Sequence, residues 1–354
     1  MLDQVGQLLL TIFTSKLFWL NTLAGLAMIE FALRGIEAMK PKTPQEEERD
    51  QKHPEFRRHD LDKLTRKSLY WMAPLIVPRW IIGWGAFMVF FGFIMLISLF
   101  VPADQPYSGW SKKLVSKLSS FTITSFVSMK GPGSVNVKTM KVDYSKYLGP
   151  DWEMDFDSPG TVVSNHVSWG DIIFHMIRQP PAFIGKASIK DIPFAGSIFK
   201  KCGCMFFDRS SSKQKKGVLE QIEDRQKLSE EGVLPPLVIY AEGGTSNGDY
   251  ILKFKKGAFF SLRSVQPVVL KYKDFYPVNV ENCAMPIYFH IILLSTILTG
   301  SAELLEYPVF RPNEYFFKHH QREGEQKWES FARVVREIMA EGSGLKLSDS
   351  TIEQ

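Results

Sequence analysis

The run WIIGWGAFMVFFGFIMLISLFV, Trp80 to Val101, constrains this chain more than any other stretch. No charged residue falls between Arg79 and Asp104. As a helix rising about 1.5 Å per residue it would reach ~33 Å, close to the hydrocarbon thickness of a bilayer. Trp71, Trp80, Trp84 and Trp110 flank or edge the run, where amphipathic rings anchor at a membrane interface. We therefore expect a membrane helix over 80–101 inside an anchoring region 69–119, with a re-entrant hairpin at Pro74 and Pro78 as the alternative. Arg66 and Arg79 precede it and Lys112 and Lys113 follow, so charge does not set an orientation. Residues 5–29 are also mostly apolar, but Asp3 precedes them and Lys16 interrupts them, unlike a cleavable signal. We expect one long amphipathic or membrane helix over 4–39 in a unit 1–40, with Lys16 snorkelling. A helix packed on a protein partner fits the same pattern. Residues 41–68 are almost wholly polar and read as a charged linker or short surface helix.

The remaining composition narrows the class. Of 354 residues, 45% are hydrophobic and 13% aromatic, which excludes a disordered chain. A formal charge of +5 suits an anionic surface or ligand rather than a nucleic acid. Cys202, Cys204 and Cys283 make no disulfide framework, and the spacing of the first two does not fit a zinc site. They are expected as reduced thiols facing a cytosol-like compartment, and no metal site is expected.

From about residue 120 short apolar runs alternate with amphipathic segments. Strands are expected at Thr161–Ser164, 182–184, Met205–Phe207, Leu237–Tyr240 and 267–270. Helices are expected near 171–178, 194–201, 213–231 and 257–264. This alternation argues an α/β layer fold for 120–354. Residues 284–299 form a shorter apolar stretch around His290, suited to an interfacial or core segment. The stretch 327–342 reads as an amphipathic helix stopped by Gly342 and Gly344.

Chemistry concentrates around the strand-to-helix turn TVVSNHVSWGDIIFH, residues 161–175. His166 at its start and Asp171 in the first turn of the following helix can meet as a general base and its orienting carboxylate. Asp171 is equally at home as a helix-start acid, and spacing alone leaves both open. Arg209 follows one apolar strand in KCGCMFFDRS. Glu242, Gly243, Gly244, Thr245, Ser246 and Asn247 follow another in LVIYAEGGTSNGDY, a turn whose backbone can approach an anion. No P-loop lysine and no G-x-S-x-G elbow is present, and Ser168 reads as a turn residue. Residues 186–271 hold 15 Lys and Arg against 9 Asp and Glu, a net of +6 that exceeds the charge of the whole chain. Lys253, Lys255 and Lys256 are the densest cluster, and phosphate-bearing ligands or anionic headgroups would be drawn there.

NHVSWGD resembles the NHx4D block of the membrane glycerolipid acyltransferases. FIGKASIKDIPFAGSIFKKCGCMFFDR, AEGGTSN...FKKGAF and VQPVVL are similar to their second, third and fourth blocks, in the same order. LLEYPVFRPNE and FARVVREIMAEGSGLKLSDST resemble the tail of the lysophosphatidylcholine acyltransferase branch. The resemblance covers about 70–354 and leaves 1–68 uncovered. Gly244 stands where the third block usually has Thr, Ala241 where Pro is common, and Ser188 where many relatives carry an acid. The calcium-binding loop that some relatives add has no counterpart here.

The resemblance implies a strand–helix alternating acyltransferase domain behind an N-terminal membrane-embedded region. It implies transfer of a fatty acyl group from acyl-CoA to the free hydroxyl of a lysophospholipid. His166 would be the base and Asp171 its orienter. Lys186 and Arg209 would hold the acceptor phosphate, and Glu242, Gly243 and Thr245 would shape the acceptor site. Asn165 and Pro267 would belong to the substrate-binding set. Acyl-CoA would be a co-substrate, with no further cofactor. Partners would be membrane lipids, no nucleic acid, and a protein partner through helix 4–39 if that helix packs on one. The endoplasmic reticulum is the family location, a mitochondrial membrane the alternative. The competing reading is a structural or lipid-binding subunit of a larger membrane complex that keeps the fold, and a lipid hydrolase is the third.

Overall fold

The structure is a computed structural model that describes all residues except 1–3, 5–6, 8–10, 12, 42, 103–104, 128–134, 176–181, 193–194, 208–213, 277, 282–284 and 353–354. The N-terminal part is built from helices α1 (Lys16–Met39), α2 (Pro44–Lys52), α3 (Arg66–Leu69), α4 (Ala73–Leu99) and α5 (Gly109–Val127). Two stretches, Lys16–Glu37 and Arg66–Leu99, are long and apolar enough to cross a membrane. The single helix expected over 4–39 is instead interrupted at Ser15, whose backbone is extended and which precedes α1. Thr14 and Ser15 are poor helix-interior residues that favour caps, which accounts for the break.

Helix α4 starts seven residues earlier than the run 80–101, with Pro74 in its first turn, and it passes through Pro78 without reversing. The hairpin alternative is therefore not formed. Pro78 has no N–H to give to the carbonyl of Pro74 four residues back. That carbonyl instead accepts from the Asn21 side-chain amide of α1 at 2.7 Å. A β-carbon at Gly25 would lie 2.1 Å from the Ala73 carbonyl, so only glycine lets α1 approach the start of α4 this closely. The opposite flank of α4 exposes Ile81, Ile82, Met88, Val89, Phe93 and Leu96, a surface suited to lipid. Lys201 caps the C-terminal carbonyls of α4, donating to Ser98 and, at 2.6 Å, to Val101.

The stretch 41–68, expected to be solvated, is so only in part. Helix α2 is the surface helix, opened by a capping box between Thr43 and Glu46. Residues 54–60 instead dock on the α/β domain. Arg58 grips both oxygens of Asp60 at 2.7 and 2.6 Å and donates to the carbonyls of Asn279 and Glu281. Asp60 also accepts the Asn279 N–H at 2.8 Å, and both charged side chains are buried. Charge density in the sequence suggested solvent; mutual pairing permits burial. We expect Asp60→Ala, which strands the Arg58 guanidinium, to destabilise the fold by about 3–5 kcal/mol. Thermal unfolding in detergent measures this, and an unshifted midpoint would contradict the docking.

The α/β domain carries a seven-stranded sheet in the order β1-β8-β7-β2-β5-β3-β4. Its strands are β1 (Val135–Thr139), β2 (Thr161–Ser164), β3 (Ala182–Lys186), β4 (Met205–Phe207), β5 (Leu237–Tyr240), β7 (Val265–Tyr276) and β8 (Thr299–Glu306). All neighbours are parallel except β7 and β8. A separate parallel pair joins β6 (Tyr250–Ile251) to β9 (Lys346–Leu347). The helices here are α6 (Ser145–Leu148), α7 (Asp171–His175), α8 (Ala195–Lys201), α9 (Gln214–Glu230), α10 (Ile287–Leu294), α11 (Glu314–His320) and α12 (Lys327–Ser343). β2 is buried along its whole length, as a continuous β-branched run in a parallel sheet must be. On one face of the sheet Phe259, Phe310 and Phe316 meet Phe331 on the apolar side of α12. On the other Val162, Phe174, Val238, Val268 and Leu304 pack together.

One expectation is corrected here, and a second, the core or interfacial segment 284–299, is resolved in detail. The helix expected over 257–264 is only a short 3-10 turn, Lys256–Ala258, because Gly257 weakens it and Leu262 turns left-handed at φ 57°. The stretch 284–299 divides into α10 and the start of β8, with α10 packed by Phe289 against Gly35 of α1. Arg79 of α4 donates to the carbonyls of Ser295 and Ile297 just after α10, both at 3.0 Å, tying α4 to the domain.

Candidate active site

The site forms where β2 and β5 end at the C-terminal edge of the parallel strands, where α/β folds place their ligands. Past Ser164 the Asn165 amide both donates to and accepts from the Leu270 backbone, at 3.0 and 2.8 Å. It continues the β2–β7 ladder by side chain and is fully buried. Asn165, expected at the substrate, is therefore committed to the sheet. Pro267 is likewise inside it, opposite Val163, with its carbonyl bonded to the Tyr307 N–H.

The chain then turns and His166 meets Asp171. The ring Nδ1 lies 2.8 Å from Asp171 Oδ2, and the same oxygen accepts the backbone N–H groups of Val167 and Ser168 at 2.6 and 2.9 Å. Asp171 Oδ1 accepts the Tyr272 hydroxyl at 2.6 Å. Asp171 thus closes the turn, opens α7 and fixes the imidazole at once; helix-start acid and orienter are one role. With Nδ1 donating to the carboxylate, Nε2 is left as the basic nitrogen. Tyr240 stacks on the His166 ring at 4.1 Å and 15°, with Phe183 parallel behind it. Ser168 is buried and its Oγ accepts the Gly170 N–H, so it is held inside the turn.

The Glu-Gly loop supports this histidine from behind. Glu242 is fully buried and accepts the N–H groups of His166 and Leu252 at 2.6 and 2.8 Å. The His166 carbonyl in turn accepts the Ser246 N–H. Gly243 is left-handed at φ 80°, and a β-carbon there would press into the side chain of Lys255. Thr245 is half-buried in the same loop. Asn247 donates to the carbonyls of Pro54 and Arg57 and so holds the N-terminal segment. At Gly244 a β-carbon would collide with Ile352, which occupies the space a larger residue would need. Lys186 ends β3 with its side chain outside the described residues, and Arg209 and Cys283 lie outside them altogether.

Burial pushes the Glu242 carboxyl up to about 8 and the Glu281 carboxyl up to about 7. Both values exceed the 4.5 of an ordinary glutamate, so the contribution of these groups to folding is full below about 4.5, fades as the pH rises above it and is gone once the pH has passed about 7 and 8. We expect these two groups to make the thermal midpoint fall as the pH is raised from about 4.5 to about 8, as read by unfolding in detergent, with the fall lost in a Glu242→Gln, Glu281→Gln double variant; the same fall in that variant would contradict their burial. Burial also holds the hydroxyls of Tyr240 and Tyr272 well above the usual phenol range, so Tyr272 keeps the proton it gives to Asp171.

Two clefts flank the turn. One is apolar and lies between Ser168, Trp169 and Phe174 of the turn, Trp80 and Trp84 of α4, and Leu294 of α10. The other is polar, lined by His59, Lys63, Asn247, Asp249, Tyr272 and Glu281. Among the described residues no His, Cys, Asp and Glu cluster could hold a metal. Tyr240 and Tyr272 were not singled out from the sequence. Tyr240 is the last residue of the LVIY strand beside the Glu-Gly loop, and Tyr272 shares a strand face with Leu270, two residues away; both alternations were readable.

The site thus pairs a base with a carboxylate at the end of a parallel sheet, beside helices long and apolar enough to cross a membrane. Residues 139–279, about two fifths of the chain, match the Acyltransferase family model. The chain is 33% identical over 195 residues to lysophospholipid acyltransferase LPEAT1 of Arabidopsis thaliana, covering 54% of this chain and 47% of that protein. It is 25% identical over 299 residues to lysophosphatidylcholine acyltransferase of Drosophila melanogaster, covering 81% and 51%. The crystal structure of the 1-acyl-sn-glycerophosphate acyltransferase PlsC from Thermotoga maritima aligns with 76% of this chain and 94% of that one, at 17% identity and a TM-score of 0.45. The chain spans about half the length of the curated relatives it matches.

Proposed function

We propose that this chain moves a fatty acyl group from acyl-CoA to the free hydroxyl of a lysophospholipid at a membrane surface. The observation that carries the reading is the His166–Asp171–Tyr272 chain of hydrogen bonds beside an apolar cleft walled by α4. An alcohol is a poor nucleophile near neutral pH, so its proton must leave as it attacks. His166 Nε2 takes that proton, and Asp171 stabilises the imidazolium that forms. The thioester is already activated, and its CoA thiolate departs after a direct attack that needs no enzyme nucleophile. Ser168, held within its turn, fits that economy. Lys186 and Arg209 supply the phosphate-holding charge, with Gly243 and Thr245 at the acceptor loop. Glu242 acts from beneath, by fixing the His166 backbone. The two apolar helices fit a membrane enzyme, and we assign the endoplasmic reticulum on the family's habit. Purified protein incubated with a panel of lysophospholipids and acyl-CoAs, with products read by mass, tests this. A diacyl phospholipid is expected for at least one headgroup; tight association with other subunits and no product from any pair would favour the structural reading.

A further inference from the structure

Helix α10, IYFHIILL, is apolar except for His290, which is fully buried. A buried imidazole in such a helix is unfavourable unless both ring nitrogens are satisfied. The Trp169 indole N–H donates to His290 Nδ1 at 3.0 Å, and His290 Nε2 lies 3.3 Å from the Asn279 carbonyl. These partners require one tautomer, protonated at Nε2, and a neutral ring, since a proton on Nδ1 would face the indole proton. Burial supports this by holding the His290 ring down at about 4. Asn279 is itself pinned, its N–H on Asp60 and its side-chain amide on Glu281. Trp169 sits three residues after His166 and forms part of the wall of the apolar cleft.

We propose that His290 is a positioning residue that locks the Trp169 indole as a rigid partition between the catalytic turn and the apolar cleft, and so sets which acyl chains the cleft accepts. The inference rests on the acyltransferase reading above and adds a specificity determinant to it. A fixed ring limits how a chain can lie against the turn. A released ring swings and lets the cleft take chains of other lengths. The lock also reaches through Asn279 to the docked segment 54–60, so an element outside the family domain helps to hold the catalytic turn.

The test uses the full chain in detergent micelles with a series of acyl-CoAs from short to long and one accepted lysophospholipid. His290→Leu removes the acceptor. Trp169→Phe removes the donor while keeping a ring, and carries the test alone if His290→Leu does not fold. His290→Gln can still accept from Trp169 and donate to Asn279. For both lock-breaking variants we expect the ratio of kcat/KM between the preferred chain and a distant one to change about fivefold or more, the equivalent of one lost hydrogen bond. His290→Gln should restore the wild-type ratio. A uniform fall in kcat/KM across all chains, with the ratio unmoved, would overturn the proposal and leave the acyltransferase reading standing. A wild-type protein that transfers no acyl group to any lysophospholipid would overturn both.

Discussion

His166→Ala is expected to lower kcat for acyl transfer by about 10^2–10^4-fold, the range that removal of a general base produces. The fold should survive. The ring is partly exposed, and the backbone bonds that hold the turn, from His166 to Glu242 and from Ser246 to His166, do not involve it. The thermal midpoint and membrane association should therefore stay close to wild type while turnover is lost. Raising the pH should recover part of the rate, because the acceptor hydroxyl then loses its proton more readily without help. Full activity in this variant, as counted by CoA release, would remove His166 from the mechanism.

The second large effect is expected from Asp171→Asn, and here geometry separates charge from shape. One oxygen of Asp171 accepts from His166, Val167 and Ser168, and the other from Tyr272. An asparagine can present its carbonyl to the three N–H groups and its amide to Tyr272, whose hydroxyl can turn and accept. Every partner stays satisfied, so the turn should hold, yet the imidazolium loses its counter-charge. We expect kcat to fall about 10^3–10^4-fold with little change in thermal midpoint. Combining Asp171→Asn with Tyr272→Phe removes the acceptor for the new amide. That double variant should unfold at lower temperature than either single one. Equal midpoints for all three would contradict the role given to Tyr272.

The parts legible in the sequence were those in which local pattern and tertiary demand coincide. β2, β4 and β5 have the bounds their apolar runs suggest, and β2, buried along its whole length, shows most clearly why such a strand must be continuous and apolar. The His166–Asp171 pairing was readable because a turn of fixed length links them. What escaped the reading depends on contacts distant in sequence. Asn165 looked like a ligand-facing amide, and only the proximity of Leu270 shows it completing a ladder. Tyr272 reaches Asp171 across 101 positions of chain, which no local period encodes. Residues 54–60 looked solvated because their charges are visible in sequence and their mutual neutralisation is not. Pro78 looked like a breaker, and Asn21, on another helix, supplies the donor that relieves its missing bond.

The departure at Gly244 belongs to the same group. In a list of family blocks it is a substitution, whereas in space it is the clearance that admits Ile352 over the Glu-Gly loop. His290 stands within an apolar stretch of sequence, and its partners Trp169 and Asn279 lie outside its helix, more than ten positions away.

The central claim is a direct, base-assisted transfer between two lipid substrates, and its most direct measurement is product stoichiometry. Wild-type protein would be supplied with acyl-CoA and an accepted lysophospholipid, and CoA thiol, diacyl phospholipid and free fatty acid would be quantified together. One phospholipid per CoA thiol, with neither formed when either substrate is withheld, is the predicted result. Release of CoA and fatty acid at the same rate without any lysophospholipid would contradict the account.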